Sequence, residues 1–331
     1  MRARIRFIAP VVLALALTTA CGESGSSGTG GDEDSTAASG EACAPVAGDK
    51  LVVLEDDKAL QNADNIIPAV NAQTASAQPA LLPALNAVSA ALTTAELVDL
   101  NAAVDVERQS AEDVAAGWVQ ENAVTDGLEQ GSGPIIVGAA DFSEGIILAN
   151  IYADVLNAAG FTATVAEPAS RNLYLEALKA GQQIQVVPEY LATVTEFLEG
   201  NDETAVASGD VDETVAALEP LATAAGLVFG EPSEAADQNA FAVTQAFADE
   251  LGVTTLSELA DACGDGSLVL GGPPECPTRP FCQLGLEDTY GLKFASFTEL
   301  DAGGPLTKAA IQQGEVSIGL VFSSDGALAK G

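Results

Sequence analysis

Short apolar segments alternate with amphipathic helical segments from Pro134 to Phe322. The apolar runs Ile135–Val137 and Ile184–Val187 have the length of buried strands, and Ser143–Ala159, which follows the first run, has helical periodicity. This spacing is typical of parallel strands joined by helices. The sequence therefore predicts an α/β fold built around a parallel sheet.

The strand–helix pattern breaks near Asp237 and then restarts, which predicts two lobes. Before Pro134 the sequence predicts two further strands and three helices, and the polar, Gly-rich stretch 125–133 indicates a surface connection. We expect a first lobe over 49–236, in which 49–124 is joined to 134–236, a second lobe over 237–325, and a return of 326–331 toward the first lobe.

The N-terminal segment has the features of an export signal. Three arginines precede an apolar stretch within residues 1–20, and the stretch is too short for a spanning helix. Cys21 follows a small residue, as in a bacterial lipobox, although Thr18 stands where Leu is usual. We expect lipid on Cys21 and a flexible tether up to residue 48, which anchor an exported protein to the outer face of the cytoplasmic membrane. An ordinary signal peptide that is cut nearby is the alternative.

The charge balance excludes several kinds of partner. The chain has 12 basic and 48 acidic residues, no histidine and a formal net charge of −36. Such a surface repels nucleic acid, anionic headgroups and polyanionic ligands. Because the chain has no histidine and no Gly-rich phosphate loop, we expect neither an enzyme nor a cofactor.

Four cysteines remain after Cys21, namely Cys43, Cys263, Cys276 and Cys282. An even number of cysteines in an exported chain predicts two disulfides. Zinc is the alternative, but the spacing of Cys276 and Cys282 and the lack of histidine do not match usual zinc sites. We therefore expect no metal.

The carboxyl ends of the strands are the expected place for a ligand, as in other open α/β sheets. Ser143 stands there at a helix N-terminus, where its hydroxyl and the free N–H groups favour a carboxylate; a plain N-cap is the alternative. Beyond the signal the only arginines are Arg108, Arg171 and Arg279. A guanidinium is the natural clamp for a carboxylate, so Arg171 and Arg279 are candidates for ligand contact.

Several motifs resemble those of the glycine betaine/choline type of ABC-transporter substrate-binding protein. Gly138–Glu144 resembles that family's first strand-to-helix turn, Ser170-Arg171 the start of its second helix, and Val187–Thr193 its Pro-Glu-Tyr-Thr-Gly-Thr motif. Two later segments resemble its second lobe and its return to the first lobe: Gly271–Cys276 with Arg279 and Tyr290–Leu292, and Phe322–Gly326. Each motif is weak alone, but their joint occurrence is specific.

The resemblance also implies a rotated chain order. Leu54–Lys58 and Asn86–Ser89, with Leu92-Thr93, resemble the C-terminal part of the family but precede the rest here. The resemblance covers about 50–122 and 134–331. It implies a circularly permuted two-lobe fold of the type II periplasmic-binding-protein class, with the ligand in the cleft between the lobes.

The function that the resemblance implies is that of a lipid-anchored, monomeric receptor. It would bind a small zwitterionic or quaternary ammonium osmoprotectant and deliver it to an ABC permease with its ATPase subunits. Arg279 would bind the acid group, with an interlobe salt bridge as the alternative, and Arg171 would orient the cleft or pair with Glu189. Tyr190 would hold the ammonium group through cation–π attraction. The full set of implied ligand contacts is Ser143, Arg171, Tyr190, Thr193, Asn239, Arg279, Phe322 and Ser324.

The aromatic cage of the family is incomplete in this chain. The expected residues are replaced at four positions, Ala140, Asn239, Gln283 and Phe322. Phe241, Phe281 and Tyr174 are candidate substitutes, with core packing as the alternative. Either the affinity for betaine is modest, or the ligand is a different small polar osmolyte.

In an unpermuted protein of this type, two segments of the chain cross between the lobes. A permutation that separates residue 331 from residue 49 would cut one of these two crossings, and the two residues would then lie side by side. We predict a Cys43–Cys263 disulfide that ties the N-terminal segment to the second lobe and limits lobe separation. A Cys276–Cys282 disulfide would close the loop around Arg279. A Cys43 that belongs to the tether and pairs elsewhere is the alternative.

Two other functions stay open. A surface interaction lipoprotein would have no small ligand, and an enzyme on the same fold would turn over a substrate.

Overall fold

The structure is a computed structural model that describes residues 43–200 and 205–330. The predicted signal peptide, Cys21 and the tether up to residue 42 lie outside the described residues. Two five-stranded sheets, each packed against helices, form a mixed α/β architecture, which confirms the predicted fold class.

The strands are β1 (Leu51–Leu54), β2 (Ile66–Asn71), β3 (Pro134–Val137), β4 (Thr162–Val165), β5 (Val186–Tyr190), β6 (Leu227–Phe229), β7 (Asn239–Thr244), β8 (Leu268–Gly272), β9 (Phe294–Glu299) and β10 (Ile318–Phe322). The helices are α1 (Ala72–Ala77), α2 (Leu81–Ala91), α3 (Thr94–Asn101), α4 (Ala111–Glu121), α5 (Ser143–Ala158), α6 (Arg171–Ala180), α7 (Leu191–Glu199), α8 (Val211–Ala225), α9 (Gln245–Leu251), α10 (Leu256–Cys263), α11 (Gln283–Gly285) and α12 (Pro305–Gln312). One π-helical turn extends α3 over Ala102–Val106, another extends α11 over Leu286–Tyr290, and 3-10 turns cover Cys276–Thr278 and Gly326–Lys330.

The first lobe contains the sheet β4-β3-β5-β2-β6. β3 runs parallel to β4 and β5, whereas β2 is antiparallel to β5 and β6. Helices α2–α5 cover one face of the sheet, and α6–α8 cover the other. Because both faces are covered, β2 and β5 are buried at every position, which explains their continuous apolar sequences.

Two prolines occur inside this sheet without breaking it. Pro68 of β2 lies opposite Pro188 of β5 in the antiparallel register. In antiparallel strands, directly opposed residues alternate between pairs that are joined by N–H···O=C hydrogen bonds and pairs that are not. Two opposed prolines, which have no N–H group, therefore fit at a pair that makes no such hydrogen bond. The pairing thus continues beyond the prolines to Ile66 and Tyr190, at the end of the sheet that faces the cleft.

The second lobe contains the sheet β1-β7-β10-β8-β9. β8 is parallel to β9 and β10, and β7 is antiparallel to β1 and β10. One face packs against α9, α10 and the loop that carries Cys276 and Cys282, and the other packs against α12.

The position of β1 corrects the predicted lobe boundary. Residues 49–236 were expected to form one lobe, but Leu51–Leu54 pairs with Phe241–Thr244 in the second sheet. The chain therefore crosses between lobes at about 55–65 and again at about 230–238, and both crossings are continuous. The expectation that the chain resumes in the first lobe at 49–51 was wrong, because β1 pairs with β7 in the second sheet.

Both predicted disulfides are present. Cys43 and Cys263 have Cα atoms 5.8 Å apart, and those of Cys276 and Cys282 are 5.1 Å apart. The N-terminal segment also packs on α12, where the Gly48 N–H donates to the Gln312 carbonyl at 2.9 Å. The Cys43–Cys263 bridge thus fastens this segment within the second lobe, and the expectation that it limits lobe separation was wrong.

The predicted return of the C-terminal segment toward the first lobe is present. Gly326 lies so close to Asn101 and Ala102 that an added Cβ would come within 2.4 Å of the Ala102 nitrogen.

Among the described residues, no single helix is long and apolar enough to cross a membrane. One pair of helical segments, 81–91 and 94–106, has the length and composition of a span when taken together, but the two segments are bent by 89° relative to each other.

Candidate ligand-binding cleft

Two cavities lie between the lobes, where the chain crosses from one sheet to the other. The larger cavity has a volume of about 470 Å³, and the smaller has a volume of about 330 Å³. Asp237 and Phe322 line both cavities, so the two spaces adjoin along the crossing segments. Asn239 at the start of β7 and Phe322 at the end of β10 are among the lining residues.

The N-terminus of α5 forms one wall of the larger cavity. Phe142 is the N-cap residue and provides no side-chain cap, and Ser143 is the first residue inside the helix. The expectation that the Ser143 hydroxyl caps the helix was therefore wrong, but Ser143 does line the cavity. Gly145 allows this tight turn, because a Cβ there would come within 2.8 Å of the Ala140 Cβ.

Glu144 is the most buried acid in the larger cavity, with 5% of its surface exposed. Its carboxylate accepts hydrogen bonds at 2.6 Å from the Tyr190 hydroxyl and at 2.6 Å from the Asn101 amide nitrogen, and it also contacts the Ser324 hydroxyl. Burial raises the pKa of Glu144 despite these donors, and the nearby charge of Asp105 acts in the same direction.

Asp237 lies on the other side of the Ser324 hydroxyl, which donates to its Oδ1 at 2.8 Å. Burial, and then the negative charge of Glu144, raise the pKa of Asp237 to about 7. The two carboxyl groups are therefore connected through one serine hydroxyl, and each disfavours the ionised form of the other.

Asn101 has one polar atom without a partner. Its amide nitrogen donates to Glu144 and, at 2.8 Å, to the Ser324 carbonyl, which fixes the orientation of the amide. The Oδ1 atom is buried and accepts no hydrogen bond in the part of the chain that the structure describes. Asn101 lines the larger cavity, and its unpartnered oxygen is enclosed by protein atoms beside that cavity, which is unusual for a buried acceptor.

Aromatic rings bound the cavities on both lobes. Phe142 is 45% exposed and lines the larger cavity, and its ring centroid lies 6.0 Å from that of Tyr190. Phe322 is 39% exposed and faces both cavities, whereas Phe281 lines the smaller one. Of the candidate substitutes, Phe241 and Tyr174 are core residues and Phe281 reaches the cleft.

The smaller cavity contains two other predicted residues, Thr193 and Asn239. Thr193 donates two hydrogen bonds to the Asp64 carboxylate, one from its N–H at 2.9 Å and one from its hydroxyl at 2.6 Å. Burial raises the pKa of Asp64 to about 6, although the bonds from Thr193 partly oppose the change. Thr193 is thus occupied by a carboxylate of the protein itself.

Neither candidate arginine lines these cavities. Arg171 makes a bidentate ion pair with Glu189, at distances of 3.1–3.2 Å, which fulfils the alternative expected for it. Arg279 is 65% exposed in its side chain and lies 3.9 Å from Glu275 in its own loop. The structure therefore gives neither arginine the expected contact with an acid group of the ligand.

The charge of the larger cavity is strongly negative. Four carboxylates line it, from Asp105, Glu144, Asp237 and Asp325. Among the described residues that line it, the one basic side chain is Lys308, which forms an ion pair with Asp325. Carboxylates and exposed aromatic faces together suit an organic cation, because both attract positive charge.

Sequence reasoning missed the acids of this site. Glu144 and Phe142 belong to the turn motif that was recognised, but the motif did not indicate that they face the cavity. Asp237 marks the break in the strand–helix pattern, and its position at a crossing was the available signal. With 48 acidic residues in the chain, composition alone cannot single out these carboxylates.

Comparisons with known proteins agree with this architecture. Residues 44–121 and 133–330 match the sequence model of the family described as "Substrate binding domain of ABC-type glycine betaine transport system". No curated protein matches the chain. Among solved structures, one titled "Crystal structure of glycine betaine/carnitine/choline ABC transporter" is similar, with 18% identity, a TM-score of 0.44, and coverage of 59% of this chain and 70% of the other. That likeness is too distant to support a conclusion. The family match spans most of the chain, and the chain therefore belongs to the family of ABC-type glycine betaine transport substrate-binding domains.

Proposed function

We propose that this substrate-binding protein carries a quaternary ammonium cation with a hydroxyl group, of which choline is the simplest example, in the larger cavity. The charge of the cavity is the observation that supports this choice. Its lining has four carboxylates and a lysine that is already paired, and among the described residues it has no arginine. A zwitterion would bring its own carboxylate into this negative field, which costs free energy.

The shape and polarity of the cavity support the same ligand class. The exposed faces of Phe142 and Phe322 offer cation–π contacts to a trimethylammonium group. A hydroxyl group of the ligand would use as its acceptor the Oδ1 of Asn101, which is buried beside the cavity and has no partner among the described residues. Choline and carnitine have such a hydroxyl, whereas glycine betaine does not.

Calorimetric titration tests this proposal directly. We expect choline to bind at least tenfold more tightly than glycine betaine, and 3,3-dimethyl-1-butanol, the neutral isostere of choline, to bind more weakly still. Equal or tighter binding of glycine betaine would contradict the charge argument. Absence of binding by any quaternary ammonium compound would favour the alternative of a surface interaction protein.

Export, lipid on Cys21, a monomeric state and delivery to an ABC permease form the remaining part of the proposed function. The sequence of the N-terminal segment supports lipidation, and the family supports delivery. Labelling with a radioactive fatty acid in a bacterial host checks the lipid. Wild-type protein should incorporate the label, a Cys21→Ala variant should not, and equal labelling of both would contradict the anchor.

Circular permutation is part of the same proposal. It is supported by the resemblance of 50–122 to the C-terminal part of the family and by the pairing of β1 and β10 with the same strand, β7, of the second lobe. A rearranged chain that begins at residue 133, joins 330 to 43 through a short Gly-Ser linker, so that the Cys43–Cys263 disulfide is kept, and ends at 121 should fold and bind choline with unchanged affinity. A rearranged chain that does not fold would argue against it.

A further inference from the structure

The carboxyl groups of Glu144 and Asp237 are joined by a hydroxyl that has only one proton. The Ser324 hydroxyl donates to Asp237 at 2.8 Å and also contacts the Glu144 carboxyl. It can donate to one carboxylate at a time, and toward the other it can only accept. A fully hydrogen-bonded chain through Ser324 therefore requires one of the two carboxyl groups to be protonated.

Among the described residues, the groups that face the pair carry no positive charge that is free to compensate it. Asp105 faces Glu144, Asp325 faces Asp237, and Asp64 lies beside Asp237 on the adjacent crossing. Tyr190 and Asn101 contact Glu144 as neutral donors.

The two basic groups near this region are already engaged. Lys308 is paired with Asp325, and Arg171 is paired with Glu189. Within the described part of the chain, the pair thus faces acids, neutral donors and the open cavity. Retention of a proton by the unliganded pair follows from this arrangement.

We infer that Glu144 and Asp237 share one proton through Ser324 in the unliganded protein, and that a cationic ligand binds in exchange for this proton. The inference rests on the proposed function, since it requires a cation in the larger cavity. Before binding, the pair of carboxyl groups holds one proton. When a monocation binds, both carboxyl groups are ionised and the proton passes to the solvent, so one positive charge replaces another.

Two observations that do not depend on the acids also point to a ligand here. Asn101 lines the cavity and has a buried Oδ1 without a donor among the described residues, and the exposed rings of Phe142 and Phe322 line the same space. A cation that contacts these rings lies next to the carboxyl pair and lowers the cost of ionising it.

The exchange predicts a specific pH dependence of binding. The dissociation constant of choline should decrease by up to tenfold per pH unit as the pH rises from 5.5 toward 7, and it should be constant above about pH 8. Burial and Glu144 raise the pKa of Asp237 to about 7, which sets this window.

Calorimetric titration of the purified protein with choline measures the exchange. Titrations at pH 6 in two buffers with different ionisation enthalpies should give a release close to one proton per ligand, and the release should vanish at pH 8.5. Asp237→Asn leaves Glu144, and Glu144→Gln leaves Asp237, as a single acid without its charged neighbour, so each variant should reduce the release at pH 6 and move the window to lower pH. The double variant should abolish both the release and the pH dependence. The matched control Asp154→Asn removes another partly buried acid from the same helix as Glu144 and should change neither result.

The outcomes separate this inference from the proposed function. Tight choline binding with no proton release and no pH dependence would overturn the shared proton and leave the proposed function standing. Release that persists in the double variant but disappears in Asp64→Asn would assign the proton to Asp64 and also overturn the inference. Failure of choline to bind at any pH would overturn the proposed function, and the inference with it.

Discussion

Two buried glutamates of the first lobe have similar local partners but opposite electrostatic surroundings. Glu189, at the end of β5, accepts a hydrogen bond from the Tyr174 hydroxyl at 2.9 Å, and Glu144, at the start of α5, accepts one from Tyr190 at 2.6 Å. Glu189 also faces Arg171, whereas Glu144 faces Asp237 and a cavity. The fold thus neutralises one acid internally and leaves the other to be neutralised by a proton or a ligand.

This difference separates a structural charge from a binding charge. A buried carboxylate without a cation is costly, and a protein that needs only stability has no reason to keep one at a cavity. Glu189 is fully buried and holds β5 to the start of α6 through Arg171. Glu144 and Asp237 instead place uncompensated acid where a ligand can reach it, which supports the proposed cation site.

The largest effect is expected when the internal ion pair is broken. Arg171→Ala should lower the free energy of unfolding by about 3 kcal/mol, because it leaves Glu189 buried without its counter-charge. Chemical denaturation measures this change. Lys179→Ala is the matched control, since it removes an exposed ion pair with Glu176 from the same helix and should cost less than about 0.5 kcal/mol. Equal effects of the two variants would remove the structural role of Arg171.

The aromatic wall of the binding region should give the next largest effect. Phe142→Leu keeps an apolar side chain but removes the ring, and it should weaken choline binding by roughly 1–2 kcal/mol through loss of cation–π attraction. Phe197→Leu, which changes a phenylalanine of similar exposure on α7, should leave the affinity unchanged. Calorimetry on both variants decides whether Phe142 contacts the ligand.

Much of the scaffold could be predicted from sequence, because its signals are local. The bounds of β1 and the cap at the start of α4 were predicted from an apolar run and a capping serine, and Cys276 and Cys282 were predicted to close one loop. The Cys43–Cys263 pair joins residues 220 apart and was predicted from the expected chain order, not from a local signal. The sheet to which β1 belongs could not be predicted in this way. A four-residue apolar strand carries no information about its partner, and its pairing with β7 is a long-range contact.

The binding region was predicted less well, because burial decides the role of each charged group. Thr193, Phe322 and Ser324 line the cavities, whereas Tyr190 is buried and lines neither. Tyr190, Thr193 and Ser324 donate to the acids Glu144, Asp64 and Asp237 of the protein itself. The sequence does not reveal which acids are buried. It therefore indicated arginines that bind a ligand carboxylate, whereas the structure has carboxylates that suit a ligand cation.

The stability of the unliganded protein should depend on pH in a direction that follows from the same acids. Burial raises the pKa of Asp237 to about 7 and that of Asp64 to about 6, above the value near 3.9 for an unfolded chain. The folded state then binds more protons than the unfolded state between about pH 4 and 7, so stability decreases as the pH rises through this window.

Thermal unfolding of the unliganded protein checks this dependence. The melting temperature should be higher at pH 5.5 than at pH 7.5 by about 2–4 °C, which corresponds to a stabilisation on the order of 1 kcal/mol. Asp237→Asn should reduce the difference. A melting temperature that increases with pH over this range would show that these acids are not the buried, uncompensated groups described above.

The smallest effect is expected at Arg279, and it tests the cation site most sharply. Its guanidinium is largely exposed and pairs weakly with Glu275, so Arg279→Ala should change choline affinity by less than a factor of about two. Lys293→Ala is the control variant, because it removes one exposed positive charge from the same lobe. It therefore measures how far the loss of one charge, at any place on this lobe, changes ligand affinity. A selective loss of glycine betaine binding in Arg279→Ala, absent in Lys293→Ala, would mean that Arg279 reaches a ligand carboxylate. In that case the comparison of the two glutamates would no longer identify the ligand, because a zwitterion would find its counter-charge on the second lobe.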